Sequence, residues 1–218
     1  MTDIHTHILP GMDDGAQDLD QAVAMLEACR VQGVDTVVLT PHFYPWMESL
    51  DSFLQRRQRS YEMLKAAAER APRLLLGAEI AWYPGLDALE HVEALAIEGS
   101  SSALVEMPNT PWTQTVMDSI YRMSAMTGVT PILAHVERYA YLQKQGQLQA
   151  LSEVGVLLQM SVGMLLHPLK RRKAQALLKQ GTWVFGSDCH DTESRPPCMG
   201  KAIRYLPQSD SLIVDWQP

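Results

Sequence analysis

The chain has 218 residues, enough for one full hydrophobic core and short for two. Its 46% apolar and 20% charged composition is that of a globular protein, and no run approaches the roughly 18 apolar residues of a membrane span. A net charge of −7 argues against a general nucleic-acid binder, which needs a basic surface to displace counterions, but leaves room for an anionic substrate at a bound metal.

Short apolar or β-branched runs alternate with longer amphipathic stretches along the whole chain. The predicted strands are 2–7, 34–42, 74–80, 103–107, 131–135, 155–162 and 182–188, and the predicted helices are 19–32, 52–70, 113–127, 142–154 and 169–180. The strands are too uniformly apolar for one-sided burial, which is how buried parallel strands read. Seven strands at about thirty residues per unit suggest a closed or nearly closed β/α barrel, with a doubly wound open sheet as the competitor. Gly33, Gly128, Gly155 and Gly181 each follow a helical stretch, where a C-terminal cap belongs.

Metal-capable side chains fall at the ends of these strands. His5 and His7 end the first, with Asp13 and Asp14 just beyond, and His42 ends the second. Glu79, Glu106 and His135 end the third, fourth and fifth, and Asp188 and His190 the seventh. Only the sixth, ending near Met160 and Ser161, offers no obvious ligand. In parallel β/α folds these ends share one face, so the groups converge. In His5-x-His7 and Asp188-x-His190 both side chains point to one side of the strand. Imidazole and carboxylate together suit Zn²⁺, Mn²⁺ or Fe²⁺. A lone His-x-His is weak, and an acid after an apolar strand is often a cap; the joint pattern carries the argument. His91 and His167 do not fit it and read as surface or structural.

The run Asp3-Ile4-His5-Thr6-His7-Ile8-Leu9-Pro10-Gly11-Met12-Asp13-Asp14-Gly15 resembles the opening of the PHP (polymerase and histidinol phosphatase) superfamily. With Thr40-Pro41-His42, Gly77-Ala78-Glu79-Ile80, Leu104-Val105-Glu106, the run from Ile132 through His135 to Tyr139, and Gly186-Ser187-Asp188-Cys189-His190, it is similar to the bacterial CpsB/CapC/YwqE-type tyrosine phosphatases of capsule and exopolysaccharide systems. Val136 and Cys189 depart from the family pattern, and neither is a ligand position. The resemblance implies a distorted (β/α)7 barrel of PHP type, a single domain over residues 1–218, and three divalent metal ions, Mn²⁺ foremost, with Fe or Zn as alternatives. His5, His7, Glu79 and Asp188 would hold one ion. Glu79, Glu106 and His135 would hold the second, with Glu79 bridging. Asp14, His42 and His190 would hold the third, Asp14 being preferred to Asp13 because it directly precedes Gly15. The implied substrate is phosphotyrosine in a protein, the tail of a capsule-system tyrosine kinase, attacked by a metal-bound hydroxide.

Arg138, three residues after His135, and Arg195, five after His190, are placed to grip phosphoryl oxygens, although a surface salt bridge is the bland alternative for each. Together with His42 they are the candidate catalytic residues. Aromatic residues follow the ligand-bearing strand ends: Phe43, Tyr44, Trp46, Trp82, Tyr83, Trp112 and Tyr139. They would ring the site as stacking surfaces for a phenyl ring and peptide, or else pack the loops onto the barrel. Lys170-Arg171-Arg172-Lys173 reads as a solvated helix face, or as a docking patch for an acidic partner or a neighbouring subunit.

Rival readings differ in detectable ways. Cys189 and Cys198 each precede an arginine by six positions, the spacing of thiol-dependent phosphatases, but neither follows with the glycine-rich loop that would turn N–H groups to phosphate. Histidinol phosphatase is the main rival within the phosphoesterases. Amidohydrolases bridge their metals with a carboxylated lysine, and here no lysine ends a strand. A metal-binding scaffold without catalysis is the non-enzymatic alternative. The N-terminus carries no secretion signal and three cysteines are too few for a disulfide framework, so the cytoplasm is the expected location.

Overall fold

In the computed structural model, which describes residues Met1–Pro218, all strand pairings are parallel. One sheet joins β1 (Thr2–Thr6), β2 (Thr36–Leu39) and β4 (Arg73–Leu76) in that order. The other runs β10 (Leu212–Ile213), β9 (Trp183–Gly186), β8 (Leu157–Ser161), β7 (Thr130–Leu133), β6 (Ser102–Glu106), β5 (Glu79–Ala81), β3 (His42–Phe43). Between them lie α1 (Leu19–Val31), α2 (Leu50–Ala67), α3 (Gln114–Thr127), α4 (Gln147–Glu153), α5 (Gly163–Leu166), α6 (Pro168–Leu177) and α7 (Met199–Ala202). The fold is mixed α/β with parallel sheets.

Two predicted strands are each split. The second breaks at Thr40-Pro41, between β2 and β3, and the third at Gly77-Ala78, between β4 and β5. Pro41 has no N–H for the ladder. Hydrogen bonds from Gly77 N to Leu39 O and from Glu79 N to Pro41 O carry the two chains side by side across both breaks. The sheets also meet where the edge strand β1 approaches β9, which lies next to the edge strand β10. Asp188 N donates to His5 O and His7 N to Cys189 O, each at 2.9 Å, so β1 is hydrogen-bonded to the chain just past β9. Gly186 permits that approach: a Cβ there would lie 2.5 Å from the Cβ of His5.

Apolar strand residues make two clusters. Forty-six buried residues pack between helices and strands. A smaller cluster takes Ile4, Val38 and Leu75 from the first sheet and Leu104, Ile132 and Val184 from the second, so the sheets face each other across it. Trp216 joins it, bringing the C-terminal segment back to the strands.

Helix boundaries follow local chemistry. Asp18, Ser49 and Thr113 cap α1, α2 and α3 through their side-chain oxygens. Gly128 closes α3 at φ +71°, donating to Ser124 O. The predicted helix 142–154 is shorter, because the chain first makes the 3-10 turns Val136–Arg138 and Ala140–Leu142.

Candidate metal centre

The nine expected ligands are gathered on one side of the sheets: His5 and Glu106 in β1 and β6, His7, His135, Asp188 and His190 just past strand ends, Asp14 on the loop after β1, and His42 and Glu79 at the first residues of β3 and β5, beyond the breaks in the second and third predicted strands. Glu79 is at the centre, at the start of β5 and fully buried. Its Oε2 lies 3.2 Å from His5 Nε2, 3.2 Å from His7 Nε2 and 3.1 Å from His42 Nδ1, and its Oε1 accepts from His135 Nε2 at 2.8 Å. Glu106 Oε1 stands 3.4 Å from His135 Nε2. Asp188 Oδ1 is 3.5 Å from His5 Nε2 and 3.6 Å from His7 Nε2. Asp14, on an exposed loop, reaches His42 and His190 at 3.5 and 3.4 Å.

Two of these positions are held by unusual backbone. His135 (φ 30°) and Asp188 (φ 55°) are non-glycine residues in the left-handed region, at a cost of order 1 kcal/mol or more each. At both, the chain leaves its strand at once, and both side chains join the cluster around Glu79.

The arginines arrive by separate turns. Arg138 ends the 3-10 turn after His135. Arg195 is folded back by Asp191, whose Oδ1 accepts from the N–H groups of Glu193, Ser194 and Arg195. Both guanidiniums meet Asp188 Oδ2, Arg195 at 2.8 Å and Arg138 in shorter contact, and both remain partly exposed.

Three further residues support the cluster. Asp13 is not among the converging ligand atoms: it accepts from His7 Nδ1 at 2.8 Å, from His42 N at 2.8 Å and from Gly15 N at 2.9 Å, which aims His7 and ties the first loop to β3. Gln159, fully buried in β8, places its Oε1 3.2 Å from His5 Nδ1 and accepts from His135 N. Buried Asp3 accepts from Ser187 N at 2.8 Å. The strand without ligands therefore contributes Gln159, and at its end Ser161 donates to Asp188. A glutamine between Leu158 and Met160 in a buried strand was the signal that could have revealed it.

The electrostatics are those of anions and imidazoles forced together. Burial pushes the Glu79 carboxyl up, but His5, His135 and His7 outweigh it and hold it well below the usual carboxylate range. Burial, then the Glu79 charge, push Glu106 up to about 7. Burial and neighbouring His7 push His190 down to about 4. Burial likewise lowers His42 and His135. Against burial, His5 and Arg138 hold Asp188 at about 2.

This donor set fits divalent cations. Glu79 Oε2, His42 Nδ1 and His135 Nδ1 are buried with no hydrogen-bond partner, and the Nε2 atoms of His5 and His7 face each other at 3.1 Å. Neutral imidazoles and carboxylates without thiolate suit borderline and hard metals. Three groups have ligand atoms within 4.8 Å of one another: His7, Asp14, His42 and His190; His5, His7 and Glu79; His42, Glu79 and Glu106. The family-derived sets differ in placing Asp188 with His5 and His7, and His135 rather than His42 with Glu106.

The rival chemistries are poorly served. All six lysines are exposed, so none bridges the cluster. Cys29, Cys189 and Cys198 are free and buried; burial drives Cys189 well above the ordinary thiol range and Cys198 up to about 12. Cys189→Ser and Cys198→Ser are expected to keep aryl phosphatase activity within about threefold of the parent, since neither sulfur reaches the cluster. Loss of activity in folded variants would restore the thiol mechanism.

The aromatic residues divide. Tyr44 stacks on His42 with centroids 5.2 Å apart, and Trp46, 61% exposed, bridges Tyr44 and Tyr83. Phe43, Trp112 and Tyr139 are instead buried, and Trp82 is tied to Ser119 Oγ. The expectation that all seven offer stacking surfaces therefore narrows to Tyr44, Trp46 and Tyr83. His91 and His167 are exposed and away from the cluster.

The family described as "Capsular polysaccharide synthesis, CpsB/CapC" matches residues 1–210. The tyrosine-protein phosphatase CpsB of Streptococcus pneumoniae is 33% identical over 93% of this chain and 88% of its own length. The tyrosine-protein phosphatase YwqE of Bacillus subtilis is 29% identical over 89% and 79%. Among solved structures, a chain from the crystal structures of YwqE of Bacillus subtilis and CpsB of Streptococcus pneumoniae, metal-dependent tyrosine phosphatases, superposes with a TM-score of 0.73 at 23% identity, covering 94% of this chain and 85% of that one. That likeness shows a common fold. The chain belongs to the CpsB/CapC family of capsular polysaccharide synthesis proteins.

Proposed function

We propose that this protein is a metal-dependent phosphatase that hydrolyses phosphotyrosine in proteins, acting on the tail of a tyrosine autokinase of capsule or exopolysaccharide synthesis. The observation that carries the reading is Glu79, a buried carboxylate shared by four imidazoles. The matched relatives named as tyrosine phosphatases support the substrate class. The hydrogen bonds between β1 and the chain past β9 support a closed, distorted (β/α)7 barrel of PHP type over residues 1–218.

His5, His7, Glu79 and Asp188 would hold one ion, Glu79, Glu106 and His135 a second, and Asp14, His42 and His190 a third. Mn²⁺ is our first assignment, with Fe or Zn as alternatives. Bound there, such cations polarise phosphoryl oxygens and acidify water. Asp13 keeps His7 aimed through its Nδ1, leaving Nε2 for the cluster. Arg138 and Arg195, clamped on Asp188 at the open side, are placed to receive the phosphoryl oxygens and stabilise charge added in the transition state. His42 lies under the Tyr44 ring, so a phenyl ring entering beside Tyr44, Trp46 and Tyr83 brings its phosphate to the centre. No helix is long and apolar enough to cross a membrane, and three free thiols accord with a reducing, cytoplasmic setting.

A side-by-side kcat/KM comparison of phosphotyrosine peptides, phosphoserine peptides and histidinol phosphate tests the assignment, with phosphotyrosine expected to win. A preference for histidinol phosphate would overturn it. Trp46→Ala should lower turnover of phosphotyrosine peptides roughly tenfold and of a minimal aryl phosphate far less. Equal losses on both would show that Trp46 holds its loop rather than the peptide.

A further inference from the structure

We propose that the groove between the turn Ala140–Leu142 and α6 binds an acidic peptide segment flanking the phosphotyrosine of a protein substrate. This rests on the phosphatase reading and extends the substrate class from a phosphorylated ring to the chain that carries it. The groove has a volume of about 750 Å³. Arg138 is common to groove and metal centre: its guanidinium meets Asp188 and its side chain lines the groove. A peptide whose phosphate sits at the metal ligands therefore has a direct path into it.

Floor and rim differ in chemistry. Tyr141, Met164 and Leu177 supply apolar surface, and Tyr141 is 77% exposed with nothing packed over it. Lys170 and Lys173 lie one helical turn apart, on the face of α6 that also presents Leu177. Both are exposed and neither forms an ion pair, in a chain whose net charge is −7. The other two basic residues of the run are directed elsewhere. Arg171 donates from Nε to Leu165 O at 2.7 Å and stacks over Tyr205 at 3.5 Å, fixing the start of α6, and Arg172 faces a separate depression beside Lys179. The one acid at the groove, Glu137, accepts from Ser161 N. Two free ammonium groups over an apolar floor, opening on a phosphate site, complement a segment that mixes carboxylates with aromatic or aliphatic side chains.

The test uses the full metal-loaded chain, two phosphotyrosine peptides of equal length, one flanked by Asp and Glu and one by Asn and Gln, and a minimal aryl phosphate. The native protein is expected to favour the acidic peptide, less so as salt rises. The double variant Lys170→Glu/Lys173→Glu should lose about tenfold in kcat/KM on the acidic peptide, mainly through KM, and stay within twofold on the neutral peptide and the aryl phosphate. Tyr141→Ala should weaken both peptides and spare the aryl phosphate. Equal turnover of both peptides by native and double-variant protein would overturn the groove while leaving the phosphatase reading intact. Turnover of the aryl phosphate but neither peptide would overturn the phosphatase reading itself. A change in oligomeric state of the double variant, with peptide kinetics unaltered, would make this face a contact between copies of the chain and overturn the proposal.

Discussion

Glu79→Ala is expected to lower kcat/KM for an aryl phosphate by roughly 1000-fold or more, about 4 kcal/mol of transition-state stabilisation. No other side chain reaches as many cluster members: Oε2 is within 3.2 Å of nitrogens from His5, His7 and His42, and Oε1 accepts from His135. Alanine leaves those imidazoles, drawn from β1 and the residue after it, from β3 and from the chain just past β7, with no shared anion. The neighbours stand further off: Glu106 Oε1 is 3.4 Å from His135, and Asp188 Oδ1 is 3.5 and 3.6 Å from His5 and His7 while its Oδ2 meets two arginines. Glu79→Gln keeps the volume and removes the charge, so it should fail almost as badly, and elemental analysis of both variants should show less metal per chain than the parent. Activity within tenfold of the parent in folded Glu79→Ala would remove the carboxylate from the centre of the mechanism.

Removing metal is expected to abolish hydrolysis and to lower the melting temperature together. As purified, the protein should carry two to three transition-metal atoms per chain. Cations that bind only the folded chain stabilise it by about 2.7 kcal/mol at a hundredfold excess over Kd. For a chain of this length that is roughly 5–10 °C in Tm. The sign follows from the buried groups: without cations, three imidazole nitrogens crowd the one buried oxygen Glu79 Oε2, His135 Nδ1 has no hydrogen-bond partner, and Glu106 is pushed up to about 7 by burial and by the Glu79 charge. Re-adding a divalent transition metal should restore both quantities. Full activity in protein shown to be metal-free would sink the metal mechanism altogether.

The order of strands and helices was legible because it rests on local rules. Buried parallel strands are apolar on both faces, helices carry one apolar stripe, and Asp18, Ser49, Thr113 and Gly128 mark helix ends through hydrogen bonds made within a turn. The gathering of His5, His7, His42, Glu79, Glu106, His135, Asp188 and His190 was legible for a related reason: a polar residue ending an apolar parallel strand has only one face of the sheet to occupy.

Other features depended on contacts between distant segments. Asp13 and Asp14 are chemically alike, and what divides them is the first loop folding back on β1: Asp13 takes N–H groups from Gly15 and His42 as well as His7, while Asp14 turns outward to His42 and His190. Gln159 lies in the strand that offers no ligand, and its role is set only when His5 of β1 and His135 past β7 come against it. The seven aromatic residues followed strand ends alike, yet burial kept Phe43, Trp112 and Tyr139 for packing and left Trp46 exposed. In the basic run 170–173 no local rule tells Lys170 and Lys173 from Arg171; the ring of Tyr205 and the carbonyl of Leu165 do, by fixing the arginine and leaving the lysines free. By itself the sequence determined the alternation of strand and helix and which His, Asp and Glu side chains gather together, because hydrophobic period and chain direction act over a few residues. The roles of neighbouring, chemically similar side chains were decided only by tertiary structure, because hydrogen bonding and burial there depend on what the rest of the chain brings against them.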